Sequence, residues 1–277
     1  MNTKNLVFKK RNFSNVALIN LPNICSWFPL LLLTSAFCLL PSSTLPVKAI
    51  TFITDRAALG GNDQLDWSSL GSVFDPFNPD PSTFLPSTFS TKSVGGLGIN
   101  IEIPLPSLPE ITPPFVFQTS APPFGIPTNF ADGDFILFTG LNPTTFPAVG
   151  NDGPITINFD TPVKGAGTQI AVDDTLEFEA FISAFDDQNN LLGSFSINGT
   201  SSIALDNSAV FLGVNSDIPE ISKLVLSSSV PERALGINSI SIRTTPISEP
   251  GSIIGIGILG ISLLTSQKKK HSKNKKF

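Results

Sequence analysis

The chain has 277 residues and a net charge of only −5, but that charge is unevenly placed. Residues 50–248 hold six cations against twenty-one acids, which leaves −15, while residues 1–49 and 250–277 carry cations and no acid. A middle this acidic is repelled by nucleic-acid phosphate and by an anionic membrane face, so nucleic acid is excluded as a partner and the charge is read as solubility for an extracellular domain.

The amino end has the order of a signal peptide. Lys9-Lys10-Arg11 form a basic region, residues 27–40 (WFPLLLLTSAFCLL) form an apolar run, and Pro41 and Pro46 break any helix. Val47 and Ala49 then put small residues at −3 and −1 of a cut before Ile50. The apolar run is shorter than the ~20 residues a spanning helix needs. Residues 1–49 are therefore expected to engage the secretion translocon and to be cleaved after Ala49. Cys25 and Cys38 both lie in this leader, so the domain that follows has no thiol. It must be held by its own core, for which ~200 residues, burying roughly 70% of their unfolded surface, suffice.

The middle domain, 50–247, opens with a short helix expected around 55–59, capped by Thr54. From about 75 to 130 the chain is crowded with Pro, Phe, Ser and Thr, and proline cannot donate to a sheet ladder. Long loops at one end of a sheet are expected there, with strands embedded at 97–103 and 115–118. Disorder is the weaker reading, because Phe is too frequent. Beyond 133 a period of two is clear: Ile155, Ile157 and Phe159 alternate with polar residues, as do Leu176, Phe178, Ala180, Ile182 and Ala184 with their neighbours. Asp186-Asp187-Gln188-Asn189-Asn190 then separates the second run from 191–197, which reads as a hairpin. Further short runs stand at 167–172, 208–214, 220–228 and 236–244. Strands at this spacing, without helical periodicity, predict an all-β domain: a jelly-roll-like two-sheet β-sandwich with proline-rich loops.

The carboxyl end, 248–277, has three parts. A turn-forming junction at 248–252 leads into an uncharged apolar stretch at 251–265, and Lys268, Lys269 and Lys270 follow. A single transmembrane helix is expected at 251–265, with the basic tail cytoplasmic and the acidic domain outside. Fifteen residues at ~1.5 Å each span about 22 Å, short of a ~30 Å hydrocarbon core unless the lysines snorkel. Such a helix suits a temporary anchor. Glu249-Pro250, the short helix and the lysine cluster resemble the PEP-CTERM sorting signal, with Ser248 where that signal usually has its first proline. The resemblance implies an exosortase-type processing enzyme as partner and an exported protein of the cell envelope or extracellular space, held only transiently in the membrane. The middle resembles a poorly characterised group of secreted bacterial domains through 55–60 (DRAALG), 66–71 (DWSSLG), 153–159 (GPITINF), 184–186 with 192–195, and 211–214 with 221–226. That resemblance implies the same jelly-roll-like sandwich and brings no settled activity. The proline-rich insertions near 75–90 and 104–127 have no counterpart in it.

Catalysis needs tunable groups, and this domain has few. His271, in the tail, is the sole histidine, and there is no tyrosine. A serine nucleophile would be left with a Ser–Lys arrangement, yet Lys92, Lys164 and Lys223 stand in no motif. Paired carboxylates could run glycoside chemistry, but no spacing selects a pair. No catalytic residue is assigned. Zinc lacks its His and Cys ligands. Calcium needs only oxygens, which Asp173 and Asp174, or Asp186 and Asp187 with Asn189 and Asn190, could supply; turns favour the same residues. Trp67 is the sole Trp or Tyr beyond the leader, and is either a sugar-stacking face or a buried ring beside a turn. Asn198-Gly199-Thr200 matches a glycosylation acceptor. The leading expectation is a non-enzymatic envelope or extracellular-matrix protein without cofactor. The alternatives are a calcium- or carbohydrate-binding module, with surface polysaccharide as partner, and a carboxylate-based hydrolase.

Overall fold

The computed structural model describes residues 50–245, apart from 76–77, 107, 123–125, 146 and 175. The signal segment with Ala49, the junction with Glu249 and Pro250, the 251–265 helix and Lys268, Lys269 and Lys270 lie outside the described residues. Among those described, no helix is long and apolar enough to cross a membrane.

In chain order the strands are β1 (Thr51–Ile53), β2 (Asp63–Leu65), β3 (Thr88–Lys92), β4 (Gly98–Glu102), β5 (Phe115–Gln118), β6 (Phe135–Phe138) and β7 (Ile155–Val163). Then follow β8 (Gly165–Val172), β9 (Glu177–Phe185), β10 (Leu191–Thr200), β11 (Val210–Asn215), β12 (Ile221–Ser228), β13 (Leu235–Ile237) and β14 (Ile240–Arg243). A one-turn helix, α1 (Arg56–Leu59), follows β1. The strands form two antiparallel sheets, so the domain is an all-β two-sheet sandwich. One sheet runs β10-β9-β12-β7-β4-β3. The other runs β1-β11-β8, and along the far side of β8 two short strands lie end to end: β13, leading to β6 and β5, and β14, leading to β2.

The alternation seen in the sequence becomes the inner face. Ile155, Ile157 and Phe159 on β7, Phe178, Ala180, Ile182 and Ala184 on β9, and Leu224 and Leu226 on β12 are buried. They meet Ala166, Ile170, Leu212, Val214, Leu235, Ile237, Ile240 and Ile242 from the facing sheet in one core. Burial of this kind contributes about 1.5–3 kcal/mol per large side chain before entropy is counted. The hairpin at 186–190 is present, and its second strand extends through Asn198-Gly199-Thr200, so the acceptor motif lies in an outer strand with Asn198 exposed. The N-cap of α1 differs from expectation. It is Asp55 and not Thr54, because the Asp55 carboxylate accepts the Ala57 N–H at 3.0 Å. Four strands, β1 to β3 and β6, fall where no strand was expected: the first three are too short or too polar to show a period of two, and β6 is apolar without alternation.

Candidate functional site

At its β5–β6 end the eight-stranded sheet is apolar on both sides. On β5 and β6, Val116 and Leu137 point into the main core while Phe115, Phe117, Ile136 and Phe138 point outward, joined by Ala171 from β8. Continuous apolar runs such as FVF and FIL are what strands buried on two faces require. The proline-rich segments provide the cover. Phe74 N–H donates to Val116 O at 2.7 Å and Leu85 N–H to Pro114 O at 2.7 Å, which holds this segment along the free side of β5. Phe74 sits 4.5 Å from Phe115, and Phe117 meets Phe138 edge-on at 5.7 Å.

The cover is incomplete, and a cavity of about 310 Å³ remains. Its floor is Phe117, Ile136, Phe138, Ala171 and Gly236; Ile126, Phe130 and Leu141 form walls. That volume is at the small end of the ~300–1,000 Å³ typical of ligand pockets. The wall at 128–130 is tied down by backbone bonds, Leu205 N–H to Thr128 O at 2.8 Å and Ala209 N–H to Asn129 O at 2.9 Å. Asn129 lines the cavity and is 1% exposed. Its Nδ2 donates to Thr200 O at 2.9 Å, and its Oδ1 is buried without a partner. Asp173, Asp174, Ser201 and Ser202 supply the polar end.

Asp173 stands just past β8, its N–H donating to Ala234 O at 2.8 Å. Burial pushes its carboxyl above the usual carboxylate range, the Asp174 N–H opposes that, the Asp174 charge adds to it, and Arg233 opposes it. The folded state therefore holds this proton more tightly than the unfolded chain does. Ionised Asp173 costs stability above its folded pKa, and that cost vanishes below the ordinary carboxylate pKa. Asp173→Asn is thus expected to raise the melting temperature at pH 7.5 and to leave it nearly unchanged at pH 3. Paired thermal melts check this, and an equal effect at both pH values would refute it.

A polar node occupies the break between β13 and β14. Asn238 Oδ1 accepts from Gln169 N–H at 3.1 Å and from the Arg56 guanidinium at 2.7 Å, while Nδ2 donates to Gln169 Oε1 at 2.6 Å and Asp134 Oδ2 at 3.1 Å. The Asn238 carbonyl accepts from Trp67 Nε1 at 2.8 Å and Thr168 Oγ1 at 2.9 Å. Arg56 further donates to Ser239 O and Ser241 Oγ and lies 5.1 Å over the Phe211 ring. Burial lowers the Arg56 pKa from its ordinary value, and Asp134 works against that. A more open hollow beside it, lined by Thr54, Asp55, Asn207 and Phe211, meets a guanidinium whose two terminal nitrogens are already engaged.

The residues singled out by sequence fare differently. Trp67 is fully buried with its N–H bonded, so it presents no face for a sugar; a ring this large gains more from the core than from the surface. Asp186 closes its own hairpin: Oδ1 accepts from the N–H groups of Gln188 and Asn190, and Oδ2 from Asn190 Nδ2. Asp187 lies beside it in a hollow with Asp160 and Lys223. Asp173 and Asp174 follow a strand of the other sheet, so the two acidic pairs sit on separate elements. Among the described residues no group of three or more His, Cys, Asp or Glu is placed to hold a metal. The outward Phe117, Ile136 and Phe138 were missed, although the uninterrupted apolar runs of β5 and β6 were the available signal.

No protein-family model matches the chain, and no curated protein matches it. Similar solved structures include a DUF4465 family protein from Bacteroides caccae, 12% identical with a TM-score of 0.29 over 62% of this chain and 98% of that one. The enzymatically active domain of bacteriophage CBA120 tailspike protein 4 is 14% identical, with a TM-score of 0.23 over 59% of this chain and 20% of that one. CsCBM6-3 from Clostridium stercorarium, in complex with cellobiose, is 8% identical with a TM-score of 0.21 over 66% of this chain and 93% of that one. Likenesses this distant say nothing of what this chain binds.

Proposed function

We propose that this chain is an exported, envelope-sorted, non-enzymatic protein whose β-sandwich serves as a small-molecule binding module. The observation that carries the binding role is the cavity on the outer side of the eight-stranded sheet. It is apolar in its floor and polar at one end, the composition by which pockets hold and orient a ligand. The basic, apolar and small-residue order of 1–49 and the Glu249-Pro250 junction with its apolar stretch and lysines support export and sorting. In this reading an exosortase-type enzyme removes the tail and leaves the acidic domain as the working molecule.

Intact mass spectrometry of the protein from its native host tests the sorting. The expected mass lacks 1–49 and ends near Ser248, while a membrane-fraction mass that retains 251–277 would sink the processing step. A thermal-shift screen against neutral, cationic and anionic small molecules, sugars included, tests the binding role. Stabilisation by at least one compound class is expected, and none in any class would remove it.

A further inference from the structure

The cavity lining discriminates between ligands. Hydrocarbon and ring faces from Phe117, Ile136, Phe138 and Ala171 form its floor, and the described lining contains no Lys, Arg or His. Asp173 and Asp174 line one end, where the Asp174 charge and the opposing charge of Arg233 both reach the Asp173 carboxyl. Asn129 adds a buried acceptor without a partner to the wall, and Ser201 Oγ already accepts from Val172 N–H at 3.0 Å. The field beyond is negative as well, since residues 50–248 carry six cations against twenty-one acids. An anionic ligand would meet like charge at Asp173 and Asp174. A neutral apolar ligand would fill the floor and leave the acidic end unused. A cation with an apolar body would use both, because carboxylates and aromatic faces each attract a desolvated ammonium.

We propose that this cavity binds a small organic amine, an apolar or aromatic body carrying one protonated primary amine, with the body on the phenylalanine floor and the ammonium at Asp173. The proposal rests on the reading of the domain as a binding module and names its ligand class. Burial and the Asp174 charge raise the Asp173 carboxyl against the Asp174 N–H and Arg233, so an arriving cation adds to Arg233 in favouring the ionised form and binding weakens as acid protonates it.

The test uses the protein purified from its host and three probes that share one ring system: tryptamine, tryptophol and indole-3-propionate. Calorimetric titration at pH 7.5 is expected to show tryptamine binding at least about tenfold tighter than tryptophol, with no binding of the carboxylate. That preference should shrink at pH 4.5 and in Asp173→Asn. Ala171→Phe, which fills the floor, should abolish tryptamine binding; Asp173→Asn carries the test alone if that variant does not fold. Equal affinity for tryptamine and tryptophol, or tighter binding of tryptophol or the carboxylate, overturns the amine proposal and leaves the module reading standing. No binding of any probe also overturns the proposal. If the wider screen of neutral, anionic and sugar ligands is silent too, the module reading falls with it.

Discussion

Asn238→Ala is expected to cost about 3 kcal/mol of stability, the sum of one stranded buried N–H and weakened bonds to a charged group. For a domain of about 200 residues this is a fall of roughly 6–12 °C in melting temperature. The size follows from how many groups depend on one amide. Without Oδ1, the Gln169 N–H loses its acceptor in the middle of a buried strand and the Arg56 guanidinium loses its 2.7 Å bond. Without Nδ2, Asp134 loses a 3.1 Å donor and Gln169 Oε1 keeps only a 3.4 Å contact with Arg56. Methyl in place of amide offers none of these bonds, and backbone strands on both sides leave little room for compensating water. Ser241→Ala makes the comparison, since it removes one 2.7 Å bond from the same guanidinium and should cost only about 1 kcal/mol. Chemical denaturation of both variants settles the matter. An Asn238→Ala effect no larger than that of Ser241→Ala would mean the node is hydrated and contributes little.

Gly140→Ala should be at least as damaging, for a reason of shape. Gly140 has φ +107, where a side chain is strained, and a Cβ there would lie 2.0 Å from Thr112 O and 3.0 Å from Pro113 O. Both obstacles are backbone, so no rotamer change relieves them. Strain of about 1–3 kcal/mol and overpacking of a similar size combine to an expected loss of about 3–5 kcal/mol. Gly133 supplies the control: it has φ +87, but a Cβ there meets nothing nearer than Gln118 Nε2 at 3.8 Å. Gly133→Ala should show the conformational cost alone, about 1 kcal/mol. Equal losses for the two variants, measured by urea denaturation, would show that the loop at 112–113 yields freely. Thr112 N–H donates to Leu141 O and Leu141 N–H to Thr112 Oγ1, and Leu141 walls the cavity, so Gly140→Ala should also weaken ligand binding.

How much of this was legible in the sequence depended on whether one face or two was buried. β7 and β9 alternate because their outer faces meet water, and both were placed within a few residues, as was the hairpin between β9 and β10. β5 and β6 bury Phe115, Phe117, Ile136 and Phe138 outward and Val116 and Leu137 inward, so no alternation marks which side is which. That the proline-rich chain would cover this outer face follows from the packing of Phe74 on Phe115, a long-range contact with no local sign. Trp67 was seen as a choice between surface and core. The deciding partner, the carbonyl of Asn238, is distant in sequence and not motif-bound. Likewise the Asp186 cluster offers oxygens for a cation but reads first as a turn, and the backbone shows its carboxylate engaged by its own hairpin.

The end-to-end placement of β13 and β14 makes β8 a trunk with two separate branches on one side. One branch, β13-β6-β5, carries the cavity floor; the other, β14-β2, carries none of it. No ladder joins β6 to β2. Amide exchange is therefore expected to fall into two contiguous blocks, one for each branch. A ligand seated on β5 and β6 would then be expected to slow exchange in one branch more than in the other, with the bonds of Asn238 lying at the break between them.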